Sequence, residues 1–155
     1  MTEIVSAKTK EDIDAIRVLF QEYQQWLDAD LCFQGFEDEL ASLPGKYGPP
    51  TGVLLLARDG EEIAGCVGIR PLEGEAVCEM KRLWVRDPWK RQGIGRRLAE
   101  TSIEAARKLG YQTMKLDTLE RLTEALALYR SMNFIETEAY YENPLERVIY
   151  MSLAL

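Results

Sequence analysis

Residues Trp89 to Leu98 read WKRQGIGRRL, a strongly basic run divided by Gly93 and Gly95. From Lys81 to Arg97 there are seven cations (Lys81, Arg82, Arg86, Lys90, Arg91, Arg96 and Arg97) against the single acid Asp87. That window carries +6 in a chain of net charge −7, so the rest of the chain holds −13. Ile94, Leu98, Ala105 and Leu109 recur at helical spacing behind the glycines, and Gly110 stands where a left-handed cap would end the helix. Arg96 and Arg97 thus fall in a first turn, where cations oppose the helix dipole by about 0.3–1 kcal/mol each. An anion bound at that end would reverse the sign. The first N–H groups of a helix have no internal partners, and glycines let a phosphate approach them closely. The first amides of the helix, with charge-assisted bonds from Lys90, Arg91 and Arg96, form the candidate anion site.

Two commoner phosphate loops are ruled out. GxxxxGK[ST] is absent, and GxGxxG fails because Leu98 stands at the third glycine. The stretch taken alone also fits a glycine-rich turn ahead of a solvated basic helix.

The flanks supply an element order. Ile4 to Lys8 reads as a strand, and Thr9 with Asp12 as a helix-capping pair. Ile13, Ile16, Phe20, Tyr23 and Leu27 form an amphipathic stripe, and a short helix is expected over 36–43. VLLLARDGEEIAGCVGI reads as a hairpin turning at Asp59-Gly60. Ala76 to Val85 is a strand, and TMKLDT is another. Leu122, Ala125, Leu126, Tyr129 and Met132 mark a helix with Asn133 as its left-handed cap, and RVIYMSLAL closes the chain as a strand. The strand–helix–strand unit from Ala76 to Thr118 implies a parallel pair with a right-handed crossover; the rest of the sheet reads as antiparallel.

The composition is that of a soluble globular protein, and 155 residues fit one domain, 1–155. No apolar run reaches a membrane span and the N-terminus has no signal-peptide form, so no membrane partner is expected. Three cysteines without CxxC spacing read as buried thiols in a reducing compartment, the cytoplasm. Histidine is absent, which excludes Ser-His-Asp triads, Cys-His dyads and His-based zinc; no metal is expected. The acidic remainder disfavours a nucleic-acid partner.

The stretch CEMKRLWVRDPWKRQGIGRRLAETSIEAARKLGY, followed by KLDTLERLTEALALYRSMNF, resembles the GNAT superfamily of acyl-CoA N-acyltransferases. The likeness covers about Gly52 to Phe134, and the element order fits the whole chain. It implies an α/β (α+β) fold: a mixed, mostly antiparallel sheet with helices on both faces and one parallel strand pair opening for the cofactor. It implies acetyl-CoA as co-substrate, with backbone groups of Leu83, Trp84 and Val85 on the pantetheine and a bulge near them. The pyrophosphate falls at Lys90, Arg91, Gln92, Gly93, Ile94, Gly95 and Arg96. Lys90 stands where Arg or Gln is usual, keeping charge but losing the planar fork. Leu122 replaces a common asparagine.

The same resemblance puts Glu79 where some members carry a general base. Direct proton abstraction, a water relay and a purely substrate-binding role all fit that position. Tyr129 matches the tyrosine that protonates or steadies the departing thiolate, and it also belongs to an apolar stripe; the two roles are compatible. A strand amide near Leu83 would polarise the carbonyl. Cys78 lacks a histidine partner and alternates away from Glu79, so it is not expected to be a nucleophile. Phe33, Phe36 and Tyr140, with Tyr23, Tyr141 and Asn143, are candidates for the acceptor pocket, and Lys46 and Tyr47 for a loop closing over it. The expected activity is direct acetyl transfer in a ternary complex to a primary amine of a small molecule, by a monomer or homodimer. The alternative is an acyl-CoA-binding regulatory module without turnover.

Overall fold

The computed structural model describes the chain except residues 30, 32–34, 73 and 75. A capping box opens the first helix: the Thr9 hydroxyl accepts from Asp12 N–H, and the Asp12 carboxylate accepts from Thr9 N–H. In chain order the elements are β1 (Thr2–Ser6), α1 (Lys10–Leu27), α2 (Phe36–Ser42), β2 (Val53–Asp59), β3 (Glu62–Pro71), β4 (Val77–Val85), α3 (Ile94–Lys108), β5 (Thr113–Leu119), α4 (Thr123–Ser131), β6 (Ile135–Thr137) and β7 (Val148–Ala154). One seven-stranded sheet runs β1-β2-β3-β4-β5-β7-β6. Its pairings are antiparallel except β4 with β5, as α3 makes the crossover between them.

The sheet divides the core. On one face Val67, Ile69, Cys78 and Met80 pack against Ile94, Leu98, Ile103 and Ala106 of α3 and Leu126 and Tyr129 of α4. On the other, Leu54, Leu56, Cys66 and Trp84 pack against Ile16, Leu19 and Phe20 of α1 and Phe36 of α2. Helices therefore cover both faces, as expected. The predicted left-handed positions are found at Gly110 (φ 91°) and Asn133 (φ 74°).

Two local expectations are corrected. The β2–β3 turn is Gly60-Glu61, one residue later than predicted, because Asp59 pairs with Glu62. A register shift at Ala57/Arg58 absorbs the difference. Lys46 and Tyr47 form a short 3₁₀ turn and not a lid. Tyr47 is buried, its ring edge-on to Phe20 and its hydroxyl donating to Glu39. Its ring lies so close to Gly68 that an added Cβ there would meet it at 2.8 Å. Among the described residues no helix is long and apolar enough to cross a membrane.

Candidate active site

The site begins where the sheet opens. β4 and β5 pair at Val77–Thr113, Cys78–Met114 and Glu79–Lys115, and no pair follows although β4 runs on to Val85 and β5 to Leu119. A bulge in β4 turns the strands apart. Against β3, Gly68 faces Lys81 but Cys66 faces Trp84, so Arg82 and Leu83 oppose Val67 alone. Arg82 takes the strain with φ 61°. Its guanidinium is anchored on Glu39 of α2, at 3.1 Å through Nε, and lies over the Phe36 ring at 5.1 Å. The bulge takes in Arg82 and Leu83, at the start of the Leu83 to Val85 stretch near which one was expected.

Beyond the bulge the β4 edge faces a groove that ends at the N-terminus of α3. Leu83, Trp84, Val85, Lys90, Arg91, Gly93, Ile94 and Gly95 line it, with Leu122, Thr123 and Ala125 opposite. Gly93 is the N-cap of α3 at φ 79°, a conformation that suits glycine, and no side chain caps the helix. Lys90 is tied to Asp87 at 2.8 Å and lies over Trp84 and Trp26 at 4.9 and 5.5 Å. Exposed Arg91 makes no hydrogen bond or ion pair among the described residues. Gln92 and Arg96 stand outside the groove lining. Gln92 folds back on the Pro88 carbonyl, and the Arg96 side chain turns to Ser131 and Glu100. The Arg97 side chain, in the same first turn, donates to the Thr2 carbonyl.

The inner end of the opening is a smaller pocket. Met80, Lys81 and Arg82 of β4, Asp117 and Thr118 of β5, Ala125 and Tyr129 of α4, and Tyr23 and Trp26 of α1 line it. Tyr129 is buried edge-on to Phe134, and burial raises its phenol well above the ordinary range, so the hydroxyl keeps its proton.

Alternation places Glu79 and Lys81 on the α1/α2 side of β4 and Lys115 and Asp117 on that side of β5. Glu79 is 1% exposed; Oε1 accepts from Arg70 Nε at 2.9 Å and Oε2 from the Tyr140 hydroxyl at 2.5 Å. Tyr140 is raised by burial and then by the Glu79 charge. Asp117 Oδ2 accepts from the Tyr141 hydroxyl at 2.6 Å and, more weakly, from Asn143. Lys81 Nζ lies between the two carboxylates, 3.8 Å from Glu79 Oε2 and 3.8 Å from Asp117 Oδ1. Burial pulls its ammonium below the usual lysine range, and the charges of Glu79 and Asp117 oppose that.

Of the acceptor-pocket candidates, Tyr140 stands beside Glu79, whereas Phe36 is a core residue beneath Arg82. Phe33 lies outside the described residues. Cys78 points into the α3 face, away from Glu79, and burial pushes its thiol up to about 12. Sequence reasoning passed over Asp117, Lys81, Arg70 and Glu39 as site residues. For Lys81 and Asp117 the available signal was charge at alternate positions of two apolar strands; Arg70 and Glu39, on β3 and α2, had none.

A mixed sheet whose parallel pair splays in front of an uncapped helix N-terminus defines an acyl-CoA N-acyltransferase fold. The model of the acetyltransferase (GNAT) family matches residues 13–134, and this chain belongs to that family. An uncharacterised N-acetyltransferase of Schizosaccharomyces pombe is 45% identical over 98% of this chain and 94% of its own length. Another from Dictyostelium discoideum is 32% identical over 86% of this chain and 90% of its own. Among solved structures, an acetyltransferase of Streptococcus agalactiae superposes with a TM-score of 0.81 at 19% identity, covering 99% of this chain and 98% of that one. A Salmonella typhimurium protein solved with its cofactor acetyl-CoA gives 0.74 at 19% identity, over 99% and 93%. At such identities these neighbours speak for the fold. The chain is a transferase of the GNAT type.

Proposed function

We propose that the protein transfers an acetyl group from acetyl-CoA to a primary amine of a small molecule, directly and within a ternary complex. The observation that carries this is that the groove at α3 and the polar pocket at Tyr129 share Trp26, Leu83, Leu122 and Ala125 as walls, beside the opening between β4 and β5. The residues fit acetyl-CoA. The free edge of β4 at Leu83 to Val85 suits the pantetheine arm, and the uncapped amides behind Gly93 suit the pyrophosphate. Arg91, exposed and without a partner among the described residues, can meet that phosphate, while Lys90 contributes charge from its place over Trp84. The Arg96 side chain turns away, which leaves its backbone amide as its contribution. Bound there, acetyl-CoA supplies an activated thioester.

The chain's own groups do the rest. The amide near Leu83 polarises the carbonyl, and the Tyr129 hydroxyl delivers its proton to the leaving sulfur. Glu79 serves as the anchor of the polar wall, since Arg70 and Tyr140 occupy its oxygens. Buried Cys78, with its raised thiol on the far face, favours direct transfer over an acyl-enzyme. Walls from α1, α4 and Leu145 around the pocket favour a small acceptor over a long peptide. The free, buried thiols Cys66 and Cys78 suit a reducing cytoplasm.

The test has two arms. CoA should raise Tm, and 3′-dephospho-CoA and pantetheine should raise it progressively less. Thiol release from acetyl-CoA is then followed with benzylamine, 2-phenylethylamine, putrescine, L-lysine and L-phenylalanine. Stabilisation by CoA without turnover of any amine would reduce the chain to a binding module; no stabilisation would remove the cofactor assignment.

A further inference from the structure

We infer that Asp117 takes the proton from the acceptor amine and that Glu79 does not. The inference rests on the N-acetyltransferase reading above. The two carboxylates face the same side of neighbouring strands, but their surroundings differ. Glu79 lies at the last paired position of β4, opposite Lys115. Its side chain is 1% exposed, and both its oxygens accept short hydrogen bonds. An amine reaching it would first have to displace Arg70 or Tyr140. Asp117 lies two residues past the last pair, inside the opening, with a side chain 13% exposed. It lines the inner pocket together with Tyr129, and Glu79 does not. Its Oδ2 is held by Tyr141 and Asn143, which fixes the carboxylate plane. Its Oδ1 accepts no hydrogen bond among the described residues and has only the ammonium of Lys81 at 3.8 Å. That oxygen is the one available to an N–H.

The setting supports the role. Facing Asp117 are Lys81 and Glu79 from β4, Tyr23 from α1, Tyr129 from α4, Tyr140, Tyr141 and Asn143 from the segment after β6, and Tyr150 from β7. Burial above all raises the phenols of Tyr23 and Tyr129, which both line the pocket; the charge of Asp117 adds to this behind Arg82, which lowers Tyr23, and behind Tyr23, which raises Tyr129. Tyr129 is thereby kept as a proton donor while Asp117 accepts, the division of labour that acyl transfer to an amine requires.

The protons balance. The acceptor ammonium gives one N–H proton to Asp117 Oδ1 and becomes the nucleophile. Nitrogen bonds to the acetyl carbon, and the carbon–sulfur bond breaks with its electron pair on sulfur. Tyr129 hands that sulfur a proton and regains one, through solvent, from the second nitrogen proton. Asp117 releases its proton to solvent, leaving amide, CoA thiol and one proton.

Asp117→Asn and Glu79→Gln are compared using the amine of the panel that the wild type turns over fastest. Equal CoA-induced Tm shifts establish that both variants fold and take up CoA. Asp117→Asn should lower kcat/KM by about a hundredfold or more near neutral pH and recover as pH approaches the amine's own pKa, where the acceptor is already neutral. Calorimetry, free of turnover, should show the amine binding about tenfold more weakly to that variant, because its ammonium has lost a facing charge. Glu79→Gln should give a smaller loss that does not recover with pH. Asp117→Glu keeps the carboxylate and is the second variant: it must turn over with the wild-type pH dependence at a reduced rate. Four results would overturn the inference: an Asn profile parallel to wild type, unchanged amine affinity, pH-dependent recovery in Glu79→Gln instead, or a Glu variant that takes up CoA yet shows no turnover.

Discussion

Gly95→Ala separates the fold from the anion site because it moves them in opposite directions. Gly95 is the second residue of α3, and an added Cβ would meet only Val85 Cγ2 at 3.8 Å, an ordinary contact. Alanine exceeds glycine by about 0.8–1.0 kcal/mol in a helix interior; near the end roughly half of that is expected. The free protein should therefore gain about 0.5 kcal/mol, a Tm rise of about 1–2 °C for a chain of this size. The new methyl would stand over amides assigned to the pyrophosphate. Losing one charge-assisted bond, about 1.5–3 kcal/mol, weakens CoA binding roughly tenfold to hundredfold. With CoA at about 100 times the wild-type Kd, stabilisation should fall from about 2.7 kcal/mol to as little as about 0.4 kcal/mol. A thermal melt with and without CoA reads both numbers. Gly93→Ala is the contrast: its Cβ meets nothing within 4 Å, but φ is 79°, so about 1–2 kcal/mol of left-handed strain should lower Tm. A Gly95→Ala protein that is stabilised yet binds CoA as tightly as wild type would refute the amide cradle.

Tyr129→Phe should keep the fold and CoA affinity and lower kcat about ten- to a thousandfold, measured where chemistry limits turnover; an unchanged kcat there would leave Tyr129 with packing alone. Arg82→Met would leave Glu39 with the Tyr47 hydroxyl at 3.1 Å and only a more distant cation, Arg70 at 3.8 Å. A loss of about 3–5 kcal/mol in urea unfolding is expected, and less than about 1 kcal/mol would mean the pair is not an effective buried one. The backbone N–H groups of Lys8 and Thr9, and the Arg58 guanidinium, hold the Asp12 carboxyl below its ordinary range. A depressed folded pKa gives stability that is present above the unfolded carboxylate value and lost as pH falls through the folded one. Asp12→Asn should thus flatten the acid limb of the stability curve below about pH 4. An acid limb as steep as wild type would show that Asp12 does not contribute to it.

Local chemistry was legible in the chain where local chemistry decides the outcome. Thr9 and Asp12 close a capping box, and Gly110 and Asn133 take left-handed caps, because these features depend on a few neighbouring residues. The glycine loop and α3 were equally readable. Side-chain directions were not. Arg96 turns to Ser131, and Tyr47 is buried because Gly68 leaves room for its ring and Glu39 accepts its hydroxyl. Neither contact has a sequence signature, since each joins separate elements. Asp117 stayed hidden for a related reason. Alternation puts it on one face with Lys115, but only the register Glu79–Lys115 reveals that it lies past the last pair, in the opening.

That opening is maintained from both sides. A parallel ladder continued past Glu79 would pair the backbone groups that now edge the groove. The bulge at Arg82 prevents this by turning β4 aside, and α2 fixes the bulge through Glu39. Across the gap, Lys81 and Asp117 approach to 3.8 Å, so β4 and β5 keep an ion pair where they have no backbone pair. Glu79 and Asp117 are in turn bound by consecutive tyrosines, Tyr140 and Tyr141, whose rings lie 5.3 Å apart. One short segment thereby sets the positions of two carboxylates on two strands. The buried charges on this face are for that reason poor candidates for replacement by apolar residues of similar volume, even though such replacement often leaves a folded protein no less stable. Replacing them all with apolar side chains would remove the contacts that fix β4 and β5 where their backbones no longer pair, whereas the single exchanges Asp117→Asn and Glu79→Gln keep side-chain volume and a hydrogen-bonding oxygen.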